Sequence, residues 1–243
     1  MNRFFVREII DQLAILEQDD YKHCKTVLRL REDDEIFIVH DEKEHTASLI
    51  GYENGKAVFK ILRETGTNRE ATVQITLYQC LPKGTKMESV IQKNVEAGVH
   101  RIVPVVSKRT IAKIEDDKHK LKKLDRWRRI AEESAKQSMR NVVPQVDTVL
   151  SFEQMVYELR TDDGLLIVPY EKTDEKSIAM KEITVREEKI NVVIGPEGGF
   201  SAEEIESLIE VGAKVVTLGN RIFRTETAGL VTVAVLMYKT NNI

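Results

Sequence analysis

The stretch from Lys189 to Lys239, KINVVIGPEGGFSAEEIESLIEVGAKVVTLGNRIFRTETAGLVTVAVLMYK, decides the fold. KINVVIG reads as a buried strand, SAEEIESLIEVG as a helix, AKVVTLG as a strand and TAGLVTVAVLMYK as a closing helix. Ser201 and Glu204 have capping-box spacing, which sets the start of the first helix. The same alternation continues upstream. TVQITLYQCL (72–81), RIVPVVS (101–107) and GLLIVPY (164–170) read as strands. Between them, Thr85 with Glu88 opens a helix that runs through Ala97 to Gly98, and Ser151 with Gln154 opens another over FEQMVYELR. Trp127, Ile130, Ala131, Ala135 and Met139 form a helical stripe, so Trp127 is expected in the core. Strands alternating with helices predict an α/β domain built on a mostly parallel sheet covered on both faces.

The amino-terminal part reads differently. EIFIVH (35–40), TASLIGY (46–52) and KAVFKILRE (56–64) are short β-prone runs, and Asn54-Gly55 is a hairpin turn signal between the last two. Short strands at this spacing predict a small barrel. The polar segment TGTNREA (65–71) places the boundary between a domain of residues 1–70 and one of residues 71–243.

Apolar residues at 42% and charged residues at 32% allow an extensive core and exclude wholesale disorder. The start, MNRFFVREIIDQLAILEQDD, is broken by charges and lacks the apolar run of a secretory signal. No apolar run is long enough to span a membrane. Cys24 and Cys80, far apart, read as reduced thiols of a cytoplasmic protein. The five histidines are scattered without ligand spacing, so no metal is expected. The net charge of −3 argues against a nucleic-acid partner, yet it conceals local asymmetry. Residues 21–31 carry Lys22, Lys25, Arg29 and Arg31 with no acid, and residues 108–140 carry twelve Lys/Arg against six Asp/Glu. A polyanion responds to such local potential, although a solvated helix face has the same composition.

Ligands in open α/β sheets bind beyond the carboxyl ends of strands. Two strand ends here are unusual. Ile194-Gly195-Pro196-Glu197-Gly198-Gly199 has more glycine than a plain strand-to-helix turn needs. It is neither a phosphate-binding P-loop nor a GxGxxG dinucleotide fingerprint. Leu218-Gly219-Asn220-Arg221-Ile222-Phe223-Arg224 places two arginines beside the positive end of the last helix, which Thr225 or Thr227 can cap. Either an anionic ligand relieves that repulsion, or Arg224–Glu226 and Arg221–Glu197 form surface pairs worth little.

IGPEGGFSAEEI and LGNRIFRTETA resemble the two carboxyl-terminal signatures of the SPOUT-class methyltransferases, most closely the 16S ribosomal RNA (uracil N3)-methyltransferase family, RsmE. The resemblance runs the whole length, through RFFV (3–6), HCKTVLRLREDDEI (23–36), KGTKMESVIQKNVEAGVHRIVPVVSKRT (83–110) and LDRWRRIAEESAKQSMR (124–140). Departures are Ala97 where the family often has Leu, and Phe223 at another Leu position. The resemblance implies a PUA-like β-barrel, a SPOUT α/β domain whose end is threaded into a trefoil knot, and a homodimer. Such a knot breaks the rule that chains do not thread loops. It implies an S-adenosylmethionine pocket of Ile194, Gly195, Glu197, Gly198, Leu218, Gly219, Ile222 and Arg224, with Pro169 and Tyr170 as a third wall.

On this reading the substrate is a uridine of 16S rRNA, as naked RNA or small subunit. Arg224 is the candidate to stabilise the deprotonated base, with Arg140 or Arg221 next. Glu197 and Glu226 are the candidate general bases, or only shape the loops. RNA contacts are expected from Arg3, Lys25, Arg29, Arg31, Lys93, Arg109, Arg126 and Arg140, mostly to phosphate. Lys93 can instead pair with Glu96 or Glu88 along its helix. The competing class is a non-catalytic RNA-binding or ribosome-assembly factor that keeps the fold but has no need of both loops. Reversing Arg29 and Arg31 to Glu is expected to weaken RNA binding by at least about tenfold at physiological salt and to leave cofactor binding intact. Fluorescence anisotropy and calorimetry check the two, and equal loss of both means unfolding instead.

Overall fold

The computed structural model describes residues 2–111, 117–171 and 178–243. The chain divides into two compact units, one of residues 1–70 with 135–143, the other of residues 71–134 with 144–243.

The first unit is a curled five-stranded sheet. Its strands are β1 (Arg3–Phe5), β2 (Leu13–Leu16), β3 (Glu35–His40), β4 (Lys43–Glu53) and β5 (Lys56–Glu64). They lie in the order β1-β3-β4-β5-β2, parallel between β1 and β3 and antiparallel elsewhere. Asn54 and Gly55 both take positive φ, 48° and 78°, as the predicted two-residue turn requires. Register shifts in β4 beside Thr46 and Leu49 bend the sheet. Among the described residues no ladder joins β1 to β2, so the expected barrel is an open, curled sheet. Between β2 and β3 a short helix, α1 (Gln18–Lys22), continues as a π-helical turn, His23–Leu28, that ends on left-handed Arg29. Phe4, Leu16, Cys24, Ile36, Ile38, Leu49 and Phe59 form the core. Lys25, Arg29 and Arg31 are exposed, with the Lys25 ammonium 5.4 Å from the ring centres of both Tyr21 and Tyr52.

Two arginines expected at the RNA are structural instead. Arg3 is 3% exposed. Its guanidinium pairs with buried Glu44 and donates to the carbonyl of Arg140. Glu44 also accepts from Thr65 (2.6 Å) and Arg69 (2.9 Å). Burial, and then Arg69, lower the Arg3 pKa to about 10, so it stays charged at neutral pH. Arg140, 5% exposed, pairs with Glu70, whose carboxylate also takes the backbone N–H of Asn141 (2.7 Å) and Val142 (3.1 Å). Asn141 in turn donates to the carbonyls of Glu42 and Thr67, both at 2.9 Å. These bonds tie segment 135–143, which the sequence places in the second domain, to the first unit.

The second unit holds β6 (Gln74–Cys80), α2 (Lys86–Glu96), β7 (Arg101–Val106), α3 (Asp117–Gln137, whose last turn joins the first unit), β8 (Gln145–Val146), β9 (Leu150–Ser151) and α4 (Phe152–Thr161). Then follow β10 (Leu165–Pro169), β11 (Ile178–Ala179), β12 (Lys189–Ile194), α5 (Ala202–Glu210), β13 (Lys214–Thr217) and α6 (Thr225–Lys239). Every ladder is parallel, in the order β11-β13-β10-β12-β6-β7, with β8 and β9 both on the outer side of β7. Tyr78 and Cys80 face a core made with Phe152 and Met155 of α4 and Ile205 and Leu208 of α5. Leu77 and Gln79, on the opposite face by strand alternation, lie under Gly229 of α6. The sheet is therefore covered on both faces. Trp127, 5% exposed, is core.

Ser151 and Ser201 form complete capping boxes with Gln154 and Glu204. Thr85 forms none: its backbone (φ −95°, ψ 6°) is not extended as a capping residue's is, and the Glu88 side chain pairs with Arg126 at 2.7 Å. Both cysteine thiols are buried, and burial pushes each up to about 12, so neither ionises near neutral pH.

Arg3→Met should destabilise the first unit by roughly 3 kcal/mol, the consequence of removing one partner of a buried pair. Urea denaturation measures it, and unchanged stability would mean that Arg69 and Thr65 suffice for Glu44.

Candidate active site

Parallel pairing places Pro169 of β10 opposite Val216 of β13, and Ile194 of β12 opposite Gln79 of β6. The segments leaving β10, β12 and β13 therefore emerge at one edge, and between them lies a cavity of about 750 Å3. Pro169, Tyr170 and Glu171 form one wall. Ile194, Gly195, Glu197 and Phe200 form the second, and Leu218, Gly219, Arg221, Ile222, Phe223 and Arg224 the third. Nine of the ten residues expected at the pocket line it. The exception is Gly198, whose α-carbon instead faces Arg109.

The glycines serve different ends. A Cβ on Gly195 would lie 3.2 Å from the Phe200 ring, so the turn needs glycine for close packing. Gly219 has φ +109° with open space around its α-carbon, so it is required for backbone conformation alone. Arg109, expected at the RNA, donates to the carbonyls of Gly198 (3.1 Å) and Phe200 (3.2 Å) and holds the glycine turn. Glu204 adds a second tie, accepting from the backbone of Lys108 at 2.8 Å.

The charges are arranged around a residue that sequence reasoning missed. Lys86, at the start of α2, lines the cavity with its ammonium 3.6 Å from Glu197 and 3.3 Å from Glu226. It lies in the 83–110 stretch that resembles the family but has no role in that reading, because only the packing of α2 against α6 brings it to the cavity. Burial raises the Glu197 pKa, but the backbone N–H of Lys83 at 2.9 Å and the Lys86 ammonium outweigh it, and Glu197 sits below the usual carboxylate range. It is an ionised anchor and a weak base. Glu226, tied to Lys86, does not line the cavity. Because both carboxylates go to Lys86, neither of the surface pairs open to the arginines forms. Among the described residues no acid pairs with Arg221 or Arg224, and both are exposed.

Thr225 does not cap α6. Its hydroxyl donates to the Gly195 carbonyl at 2.6 Å, and the cap position falls to Arg224 without a side-chain bond. Away from the cavity, Lys93 is exposed without an acid partner among the described residues, and Arg126 is exposed but paired with Glu88.

Residues 69–237 match the model of an RNA methyltransferase domain, and residues 16–62 match that of an RNA methyltransferase PUA domain. The ribosomal RNA small subunit methyltransferase E of Bacillus subtilis (strain 168) is 32% identical, over 99% of this chain and 97% of that one. The chain belongs to the ribosomal RNA small subunit methyltransferase E family. A member from Aquifex aeolicus (strain VF5) is 29% identical over 98% of this chain and 99% of its own. The crystal structure of the family member from Neisseria gonorrhoeae, bound to S-adenosyl methionine, is similar with a TM-score of 0.87 and 32% identity, covering 98% of this chain and 97% of that one.

Gly219→Ala should weaken binding of S-adenosylmethionine by roughly tenfold or more, because a side chain at that φ carries about 1–3 kcal/mol of strain. Gly198→Ala, at negative φ with its nearest neighbour at 3.4 Å, should be tolerated. Calorimetry on both variants checks the contrast.

Proposed function

We propose that the chain transfers the methyl group of S-adenosylmethionine to N3 of a uridine in 16S rRNA of the small ribosomal subunit. The observation that carries this is the arginine pair, Arg221 and Arg224, left without an acid partner among the described residues on the wall of the cavity. The pocket residues fit the cofactor. The volume is in the range of small-molecule sites, and Ile194, Leu218 and Ile222 offer apolar surface for a nucleobase. The Gly195 and Gly219 backbones leave polar groups uncovered by side chains, and Glu197 supplies the negative charge that a sulfonium calls for. When bound, the cofactor supplies a methyl group already activated for transfer.

The chain's own task is to prepare the base. Uracil N3 is a poor nucleophile until its proton leaves, and the resulting charge spreads onto the two carbonyl oxygens. Arg224, with Arg221 beside it, stabilises that charge and so lowers the cost of deprotonation. A strong protein base is then not needed, in keeping with Glu197 held ionised and Glu226 occupied by Lys86. Since N3 takes part in Watson–Crick pairing, the uridine enters unpaired or flipped out. Lys25, Arg29 and Arg31 in the first unit and Lys93 and Arg126 in the second hold the RNA by its phosphates. Arg3 and Arg140 are withdrawn from that set by burial.

The finer architecture belongs to the same reading. The order β13-β10-β12, with β10 between two strands that follow it in sequence, supports a trefoil knot closed by α6. The outward side of α6 is apolar, with Leu230, Val231, Ala234 and Val235 only partly covered and Tyr238 72% exposed, which supports a homodimer packed through this helix. Light scattering tests the dimer, and a crystal structure traced without a break from residue 165 to 243 tests the knot. Among the described residues no helix is long and apolar enough to cross a membrane, and a ribosomal substrate supports the cytoplasm as the compartment.

Labelled methyl transfer to small subunits, followed by mass spectrometry of the rRNA nucleosides, should yield N3-methyluridine. Arg224→Ala should lower kcat by about a hundredfold, as for loss of one oxyanion donor. Full turnover in that variant would remove Arg224 from its role, and RNA binding without any transfer would favour the assembly-factor reading.

A further inference from the structure

Gln79 lies at the carboxyl end of β6, in the middle of the parallel sheet, and is 0% exposed. Its amide nitrogen donates to the Cys80 carbonyl at 3.0 Å and to the Thr225 hydroxyl at 2.8 Å. The same hydroxyl donates onward to the Gly195 carbonyl at 2.6 Å. The amide oxygen has no partner among the described residues. It lies 3.2 Å from the point where a Cβ on Gly229 would stand, with Ile194 and Leu77 also close to that point. A polar chain thus runs from the apolar centre of the sheet to two walls of the cavity, the turn after β12 and the start of α6.

Packing alone would place an aliphatic residue here. A buried amide with one unpaired oxygen is unfavourable, and Leu or Met at this position removes that penalty. Thr225, the buried first residue of α6, likewise turns its hydroxyl away from the helix and to the Gly195 carbonyl, leaving the cap position to Arg224, which makes no side-chain bond. Both departures from local preference converge on one backbone oxygen at the cavity. Local sequence–structure conflicts of this kind mark functional positions.

We infer that Gln79 is a positioning residue. Through Thr225 it fixes the Gly195 turn and the first turn of α6 in the geometry that accepts S-adenosylmethionine, at the expense of fold stability. The inference rests on the cofactor pocket proposed above.

The test is to measure cofactor affinity by calorimetry and thermal stability by scanning calorimetry on the full chain. Gln79→Met is expected to keep or raise Tm while weakening the Kd for S-adenosylmethionine by roughly tenfold, about the worth of one buried hydrogen bond. Thr225→Val should weaken the Kd similarly, and combining the two should add little, since both break one chain. Thr225→Ser, which retains the hydroxyl, should bind like the parent. A Gln79→Met variant with the parent's Kd overturns the proposal. So does a fall in both Tm and affinity in Gln79→Met, which would make Gln79 a stability residue. If the parent chain itself does not bind S-adenosylmethionine, the pocket assignment fails first, and the two failures are thereby distinguishable.

Discussion

β10 pairs in parallel with β12 on one side and with β13 on the other, although both follow it in the chain. That pairing constrains everything at the carboxyl edge of the sheet. The chain leaves β12, forms α5, and must pass beyond β10 before it can enter β13. Three segments then crowd one edge, and close approach there excludes side chains at particular points. Gly195 gives way to the Phe200 ring, whereas Gly219, with open space around it, answers only to its positive φ. The cavity is the space that this crowding leaves.

The electrostatics of the cavity follow from which acids are already engaged. Surface ion pairs are weak individually, so a count of acids and bases near the site says little. What matters is that Lys86 draws both Glu197 and Glu226 to itself. The two arginines of the neighbouring wall keep their charge without a fixed partner among the described residues. Cations beside the positive end of a helix are held there against repulsion, and an incoming anion or a developing negative charge relieves it. In the function proposed above, this is what favours the charged form of the acceptor base without a strong general base.

Much of this was legible in the sequence, for physical reasons that can be named. The strands of the second unit are buried on both faces and so read as continuous apolar runs, and the Ser151 and Ser201 caps are local bonds that spacing alone reveals. Glycines at strand ends marked two walls of the cavity. The losses were of two kinds. β1 and β2, of three and four residues, are too short for periodicity to register. Residues whose role depends on distant partners carry no local signal. Arg3 reads as surface charge until Glu44 is seen beside it, Lys86 reads as an ordinary helix lysine, and Thr225 reads as a cap.

The basic residues show how far the same logic reaches. By type and position, Arg3, Arg109, Arg126 and Arg140 were as good candidates for phosphate contact as Arg29 and Arg31. Structure separates them by the acceptor each already has. Arg3 and Arg140 are buried against glutamates, Arg109 is bound to carbonyls of the glycine turn, and Arg126 shares Glu88. A cation so engaged must give up its internal partner before it can neutralise a phosphate, which reduces its contribution to binding. Lys25 lies against the Tyr21 and Tyr52 rings and donates to the Tyr21 hydroxyl, and a cation over a ring keeps its charge. With net charge −3, the chain cannot attract RNA through its total field. Any attraction has to come from local groups of exposed cations, and Lys25, Arg29 and Arg31 form one that no acid satisfies among the described residues.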